Sequence, residues 1–137
     1  MPLINYDQGS SVTKLALVLL GGCCFLIGSD RLEPNLLARA ARNAAPRPNP
    51  YSGKAAAVGA GMKLYARECA SCHGKYGEGS GKVPPLMRSP VVTKAPPGAL
   101  FWVLRNGSLH RGMPSFAHLP EAQRWEIIAF IQRESRQ

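Results

Sequence analysis

Within a chain of 137 residues stands one pentapeptide, Cys69-Ala70-Ser71-Cys72-His73, around which everything else has to be arranged. Two cysteines three positions apart on a helical turn can each form a thioether bond with one vinyl group of a porphyrin. The histidine that follows then projects towards the iron as its proximal ligand. C-x-x-C-H is therefore read as the attachment signal of one covalent c-type haem, with Cys69 and Cys72 as anchors and His73 as the nitrogen donor. Other uses of a cysteine pair fit less well. Zinc needs two further Cys or His ligands at comparable spacing, and the only other histidines, His110 and His118, stand eight apart with no second cysteine pair beside them. A thioredoxin-like redox pair calls for a surrounding βαβ pattern, and none is visible.

The apolar run from Leu15 to Ser29, LALVLLGGCCFLIGS, carries no charge and is flanked by Lys14 and Asp30, the outline of a secretory h-region. Fifteen helical residues reach roughly 22 Å, short of a hydrocarbon core of about 30 Å. A full span has to borrow residues back to about Gly9, with Lys14 snorkelling. Three fates fit residues 1–30. Leu20-Gly21-Gly22-Cys23 resembles a bacterial lipoprotein signal and makes Cys23 a candidate lipidation site, while Phe25-Leu26-Ile27 prolong the apolar run and favour an uncleaved anchor. Plain secretion is the third, although the first small-x-small pattern, Ala38-Arg39-Ala40, lies about ten residues past the run. Cys23 and Cys24 also serve as small apolar fillers of a helix. Neither cysteine pair has the spacing of a disulfide framework. An export signal and a haem-attachment motif agree, since such haems mature outside the bacterial cytoplasm. The expected location is the periplasmic side of the cytoplasmic membrane, held by a lipid or a retained helix.

Residues 31–50, RLEPNLLARAARNAAPRPNP, open on a short run of helical composition and end in alternating proline, which reads as an extended, solvated linker. Arg31, Arg39, Arg42 and Arg47 form no dense cluster that would mark anionic lipid. Residues 51–137 remain to build one core. A first helix is predicted from about Lys54 to Arg67, where Val58, Met62 and Tyr65 recur at helical spacing. A second starts at Pro97 and stops at Asn106-Gly107, a pair suited to ending helices. A third opens at Leu119-Pro120-Glu121 and runs to about Glu134, with Trp125, Ile128 and Ile131 on its buried face. No segment alternates as a strand does, and the stretch between the first two helices is rich in Gly and Pro. The expected fold is all-α, three main helices and loops around one covalent haem.

Helix, Cys69-Ala70-Ser71-Cys72-His73-Gly74, glycine-rich loop, proline-leucine, helix, Gly112-Met113-Pro114 and a final aromatic helix together resemble the class I cytochrome c family over about residues 54–135. The resemblance implies the cytochrome c fold. It also implies that Met113, in Arg111-Gly112-Met113-Pro114-Ser115-Phe116, is the second axial ligand through its thioether sulfur. Met113 lies forty positions after His73, and the second helix fits between them. Met62 is assigned to core packing in the first helix and Met87 to the stretch after Pro84-Pro85-Leu86. His110 is read as a surface histidine before the ligand. The family's P-x-L stretch matches Pro84 and Leu86, which implies a hydrogen bond from the other ring nitrogen of His73 to the Pro84 carbonyl and haem packing by Leu86. Pro85 competes with Pro84 for that role. Gly61 and Tyr65 resemble the residues at which the family's first helix crosses its last, here against Ile127 and Phe130 or their neighbours. Trp102 is either an ordinary core residue or one at the haem edge.

An iron with both axial positions filled by protein exchanges electrons and offers no open site for substrate. A methionine ligand raises its potential relative to histidine. The expected function is electron transfer, by a membrane-tethered carrier or by the cytochrome subunit of an exported dehydrogenase or respiratory complex, and not catalysis by the chain itself. The alternative, a small haem enzyme or ligand sensor, needs a labile Met113; a haem serving only as an assembly staple is a third reading. The chain carries 17 Lys and Arg against 8 acidic residues, and from Ser52 onward the balance is twelve against five. Lys75, Lys82, Arg88 and Arg111 flank the expected haem-binding elements and are candidates for steering a redox protein with an acidic docking surface. No nucleic-acid recognition motif accompanies the charge. On a flexible linker the domain swings between partners at high effective concentration; on a rigidly packed anchor it is a fixed relay, and the sequence leaves both open.

Overall fold

Two fourteen-residue helices cross at a glycine and frame the domain. In the computed structural model, which describes residues 32–44 and 47–137, the elements in chain order are α1 (Leu32–Ala44), α2 (Ala55–Glu68), α3 (Ala70–His73), α4 (Pro90–Lys94), α5 (Pro97–Asn106), a single 3-10 turn (Leu109–Arg111) and α6 (Glu121–Glu134). Among the described residues the only β-pairing is two isolated bridges, Ser80 with Val83 and Ser108 with Met113. None of the described helices is long and apolar enough to cross a membrane. Residues 1–31, with the expected signal or anchor and Cys23, lie outside the described residues.

α2 lies against α6 at Gly61, where a Cβ would fall 2.0 Å from the Glu126 carbonyl oxygen and 3.0 Å from Phe130 Cβ. One turn on, the Tyr65 and Phe130 rings meet with centroids 5.4 Å apart. The buried stripe of α2 is Ala57, Val58, Gly61, Leu64 and Tyr65. Met62, expected in the core, is instead 49% exposed. It stands about 100° round the helix from Gly61, and the close approach at Gly61 centres the contact there. α6 buries Trp125, Ile128 and Ile131 as predicted, together with Ile127, Ala129 and Phe130.

α5 begins and ends where its proline and Asn-Gly signals predict, with Gly107 at φ 70° closing it. Phe101 stacks on Trp125 at 4.2 Å and 24°, joining α5 to α6. The loop expected between α2 and α5 also contains two short helical pieces. α3 is one turn. α4 is started by Ser89, whose Oγ accepts from Val92 N–H at 3.4 Å, with Pro90 at its first position.

Residues 32–44 form the helix that their composition suggests, but that helix and the stretch after it are packed on the domain and are not the solvated linker expected. Leu32–Ala44 is helical and packs on α5, with Ala40 fully buried. Arg47 bridges Glu121 at 2.7 Å and lies over the Phe101 ring at 5.0 Å. Buried Asn49 donates to the Trp125 carbonyl at 2.9 Å and accepts from Tyr51 N–H at 2.9 Å. Aromatic faces on α5 and α6 and a helix carbonyl of α6 supply partners that proline-rich composition does not reveal.

Candidate functional site

The pentapeptide occupies the turn that ends α2. Cys69 N–H donates to the Tyr65 carbonyl at 2.9 Å, closing α2, and the Cys69 carbonyl then accepts from Cys72 and His73 N–H at 3.1 and 2.9 Å. Both cysteines and the histidine thus share one turn. Tyr65 Oη donates to the Gly74 carbonyl at 2.8 Å and fixes the far end. Burial, with Cys69 and Glu78 beside it, pushes the Tyr65 hydroxyl up to about 12, so it stays a neutral donor. Cys69 is buried and Cys72 exposed. Burial, Glu68 and Cys72 push the Cys69 thiol up to about 12.

A glycine-rich loop carries the chain back over His73. Gly79 N–H donates to the His73 carbonyl at 2.8 Å. At φ 70° Gly79 passes so close to the returning chain that a Cβ would lie 2.5 Å from the Val83 carbonyl oxygen, which only glycine allows. Leu86 and Met87 N–H both donate to the Gly77 carbonyl, at 2.8 and 3.1 Å. The fold so made puts the Pro84 carbonyl oxygen 3.0 Å from His73 Nδ1. A carbonyl only accepts, so Nδ1 carries the proton and donates, leaving the Nε2 lone pair for a metal. Pro85 makes no such contact with the ring.

Met113 is held by a backbone bridge: Ser108 N–H donates to the Met113 carbonyl at 2.9 Å, and Met113 N–H to the Ser108 carbonyl at 3.2 Å. Phe116 N–H donates to the Leu104 carbonyl at 3.1 Å and Ser115 Oγ to the Arg105 carbonyl at 2.6 Å, tying the loop to α5. Cys69, Cys72, His73, Pro84, Leu86 and Met113 all line one cavity of about 560 Å³. Its walls are otherwise mainly apolar, with Val92, Val103, Ile128 and Ile131 among them, and Lys82, Arg88 and Arg111 are the cations on its lining.

Met62, Met87, His110 and His118 do not line this cavity. Met87 packs on Gly77, His110 Nδ1 lies 3.5 Å from Ser108 Oγ on the exposed 3-10 turn, and exposed His118 rests against the Phe116 ring at 5.9 Å. Trp102 is half-buried and away from the cavity. Lys75 lies over the Tyr76 ring at 5.4 Å.

Two contributions were not legible from the motifs. Leu36 and Leu37 of α1 also line the cavity. Arg124, 7% exposed, donates through one terminal nitrogen to the carbonyls of Phe116 at 3.3 Å, Ala117 at 3.1 Å and Leu119, gathering the loop that follows Met113. The only hint is a charged residue beside Trp125 on an otherwise buried helix face.

These residues fit a haem. The cavity volume is in the range of cofactor sites. Its donors are one imidazole and one thioether with two thiols on the turn below. Among the described residues no three His, Cys, Asp or Glu converge to hold a bare ion. The cations suit the two propionate carboxylates of such a group.

Comparison with known proteins agrees with a c-type haem. The family model for cytochrome c oxidase, cbb3-type, subunit III matches residues 56–131. The quinohemoprotein alcohol dehydrogenase ADH-IIG of Pseudomonas putida is 35% identical over 72 residues, which are 53% of this chain and 10% of that protein. The chain therefore spans about a tenth of that relative's length. Cytochrome CL of the marine methylotroph Methylophaga aminisulfidivorans has the same fold, with a TM-score of 0.55 and 23% identity over 69% of this chain and 63% of that one. With one helical turn presenting Cys69, Cys72 and His73 to a cavity that also receives Met113, the chain belongs to the cbb3-type cytochrome c oxidase subunit III family of c-type cytochromes, and it transfers electrons through a covalent haem c.

Proposed function

We propose that this chain is the electron-relaying cytochrome of an exported dehydrogenase or respiratory complex, without catalytic activity of its own. The family match to an oxidase subunit and the stretch of similarity to a dehydrogenase both support a domain that serves a larger machine. The carrying observation is that His73 and Met113 line one cavity, so that a haem bound there would find an imidazole and a thioether to hold its iron.

When bound, the haem supplies a one-electron ferric/ferrous couple. Cys69 and Cys72 anchor it. Pro84 holds the His73 ring in one tautomer and one orientation. Met113 raises the potential relative to a second histidine. Lys82, Arg88 and Arg111 on the cavity lining, with Lys75 over the Tyr76 ring, draw the acidic face of a redox partner to the cavity. The haem domain lies on the periplasmic side, held at the cytoplasmic membrane through residues 1–30, either by lipid on Cys23 or by a retained helix.

The test is an optical and redox titration of the full chain matured with haem, wild type against Met113→Ala. The wild type should show the weak methionine-to-iron absorption at the red end and a high potential, and the variant should lose both and bind carbon monoxide. Ready binding of carbon monoxide or peroxide by the wild type would instead identify an enzyme or sensor.

A further inference from the structure

Leu36 and Leu37 stand outside residues 56–131, the stretch matched by the family model, yet both line the cavity shared by Cys69, His73 and Met113. They belong to α1, which is fastened to the domain along its length. Ala40 is 0% exposed, the helix packs on α5, and three residues past its end Arg47 is tied to Glu121 at 2.7 Å. α5 is the helix that also presents Leu100, Val103 and Leu104 to the cavity. Ala38, Arg39 and Arg42 are exposed, so α1 has a defined outer side. Leu36 and Ala40 share one stripe at i, i+4 spacing. Leu37 lies about 100° further round and is still half-buried, because the apolar face of α1 widens there to reach the cavity as well as α5. Packing on α5 alone does not require a second, adjacent leucine.

We propose that α1, outside the stretch matched by the family model, is a further wall of the haem cavity, and that Leu36 and Leu37 set the reduction potential by keeping water away from the bound group. Apolar, dehydrated surroundings disfavour the more highly charged oxidised state, and burial is one of the levers a protein has on a haem's potential. The inference rests on the haem reading but concerns residues that reading does not use.

The experiment uses the full, haem-loaded chain and reads the ratio of oxidised to reduced protein against a mediator of fixed potential. In the double variant Leu36→Ser/Leu37→Ser the c-type spectrum and the methionine band should persist while the ratio rises about tenfold, equivalent to about 59 mV for one electron. Leu36→Met/Leu37→Met, which keeps the wall apolar, should stay within twofold of wild type. Each single serine variant should move about threefold in the same direction, and these decide the matter if the double variant does not accumulate. Ala40→Gly serves as the packing control: it should lower the melting temperature and leave the ratio unmoved. A serine variant with an intact spectrum and a ratio within twofold of wild type overturns the proposal, as does an equal shift in Ala40→Gly. A wild-type chain without a covalent-haem spectrum overturns the haem reading and this inference with it, an outcome distinct from an intact spectrum at an unmoved potential.

Discussion

Replacing Gly61 by alanine puts a methyl group where α2 and α6 are closest, at the crossing from which the Cys69–His73 turn and the Ile128 and Ile131 wall both extend. The added Cβ falls 2.0 Å from the Glu126 carbonyl oxygen, 2.6 Å from its carbon and 3.0 Å from Phe130 Cβ. Ordinary contact begins at 3.4 Å, so the helices have to part by roughly 1.4 Å, and the first obstacle is backbone, which has no rotamer to turn aside. Overpacking of this kind costs about 1–3 kcal/mol, and a backbone obstacle puts it near the upper end. Alanine in a helix returns about 1 kcal/mol, leaving a net loss of about 2 kcal/mol. For a domain of this size that lowers the melting temperature by roughly 8–16 °C. The assay is thermal unfolding of the haem-loaded chain followed by circular dichroism at the helical band. Gly59→Ala is the internal control, since a Cβ there meets nothing within 4 Å, and it should be neutral or stabilise by up to about 1 kcal/mol. A Gly61→Ala variant as stable as Gly59→Ala would refute the argument that the crossing depends on glycine.

The Glu121 carboxylate accepts from Trp125 Nε1–H and Arg47, which hold its pKa below the usual value. A depressed carboxyl stabilises the fold above its unfolded pKa and loses that contribution as pH falls through the folded one, so Glu121→Gln should be slightly less stable than wild type at neutral pH, and the difference should shrink as pH falls below about 4.3. Asn49→Ala leaves the Tyr51 N–H without its partner and removes a second donor from the Trp125 carbonyl, and should cost about 1–3 kcal/mol in chemical denaturation. Arg124→Met deprives the carbonyls of Phe116, Ala117 and Leu119 of a charged donor. It should cost about 1.5–3 kcal/mol and weaken the methionine-to-iron absorption.

The helices that the sequence announces are those with both a periodic apolar face and a terminal signal. α5 runs between Pro97 and Gly107 as expected, and α6 opens behind Pro120. α4 carries a legible start, Ser89-Pro90, but its Val91-Val92-Thr93 run is β-branched and disfavours helix, and five residues are too few to show a period. α3 is a single turn that follows on from α2 and has no signal of its own beyond the pentapeptide. Cys69, Cys72 and His73 are recognisable because their chemistry requires local spacing, whereas Met113 and Pro84 became candidates only through the family resemblance. The contacts of Arg47 and Asn49 join positions 74 and 76 apart in the chain, and no local pattern encodes them. Met62 was misassigned because a period alone does not say which of two neighbouring positions faces a glycine crossing.

How the haem domain is held follows from the same misread segment. A twenty-residue extended spacer would reach roughly 60 Å at 3.1 Å per residue, ample for a swinging carrier. Most of that length is instead folded onto the domain: α1 lies on α5, and Arg47 and Asn49 are fixed to α6. Leu36, on the wall of the cavity, comes six positions after Asp30, and six residues span at most about 20 Å even when fully extended. If residues 1–30 are seated in the membrane, as proposed, the cavity lies within about that distance of the point where the chain leaves it. A haem so confined samples a small volume beside one face of the membrane. It gains from effective concentration only towards a partner already standing there, which favours a fixed relay inside an assembly over a carrier that travels between separate proteins.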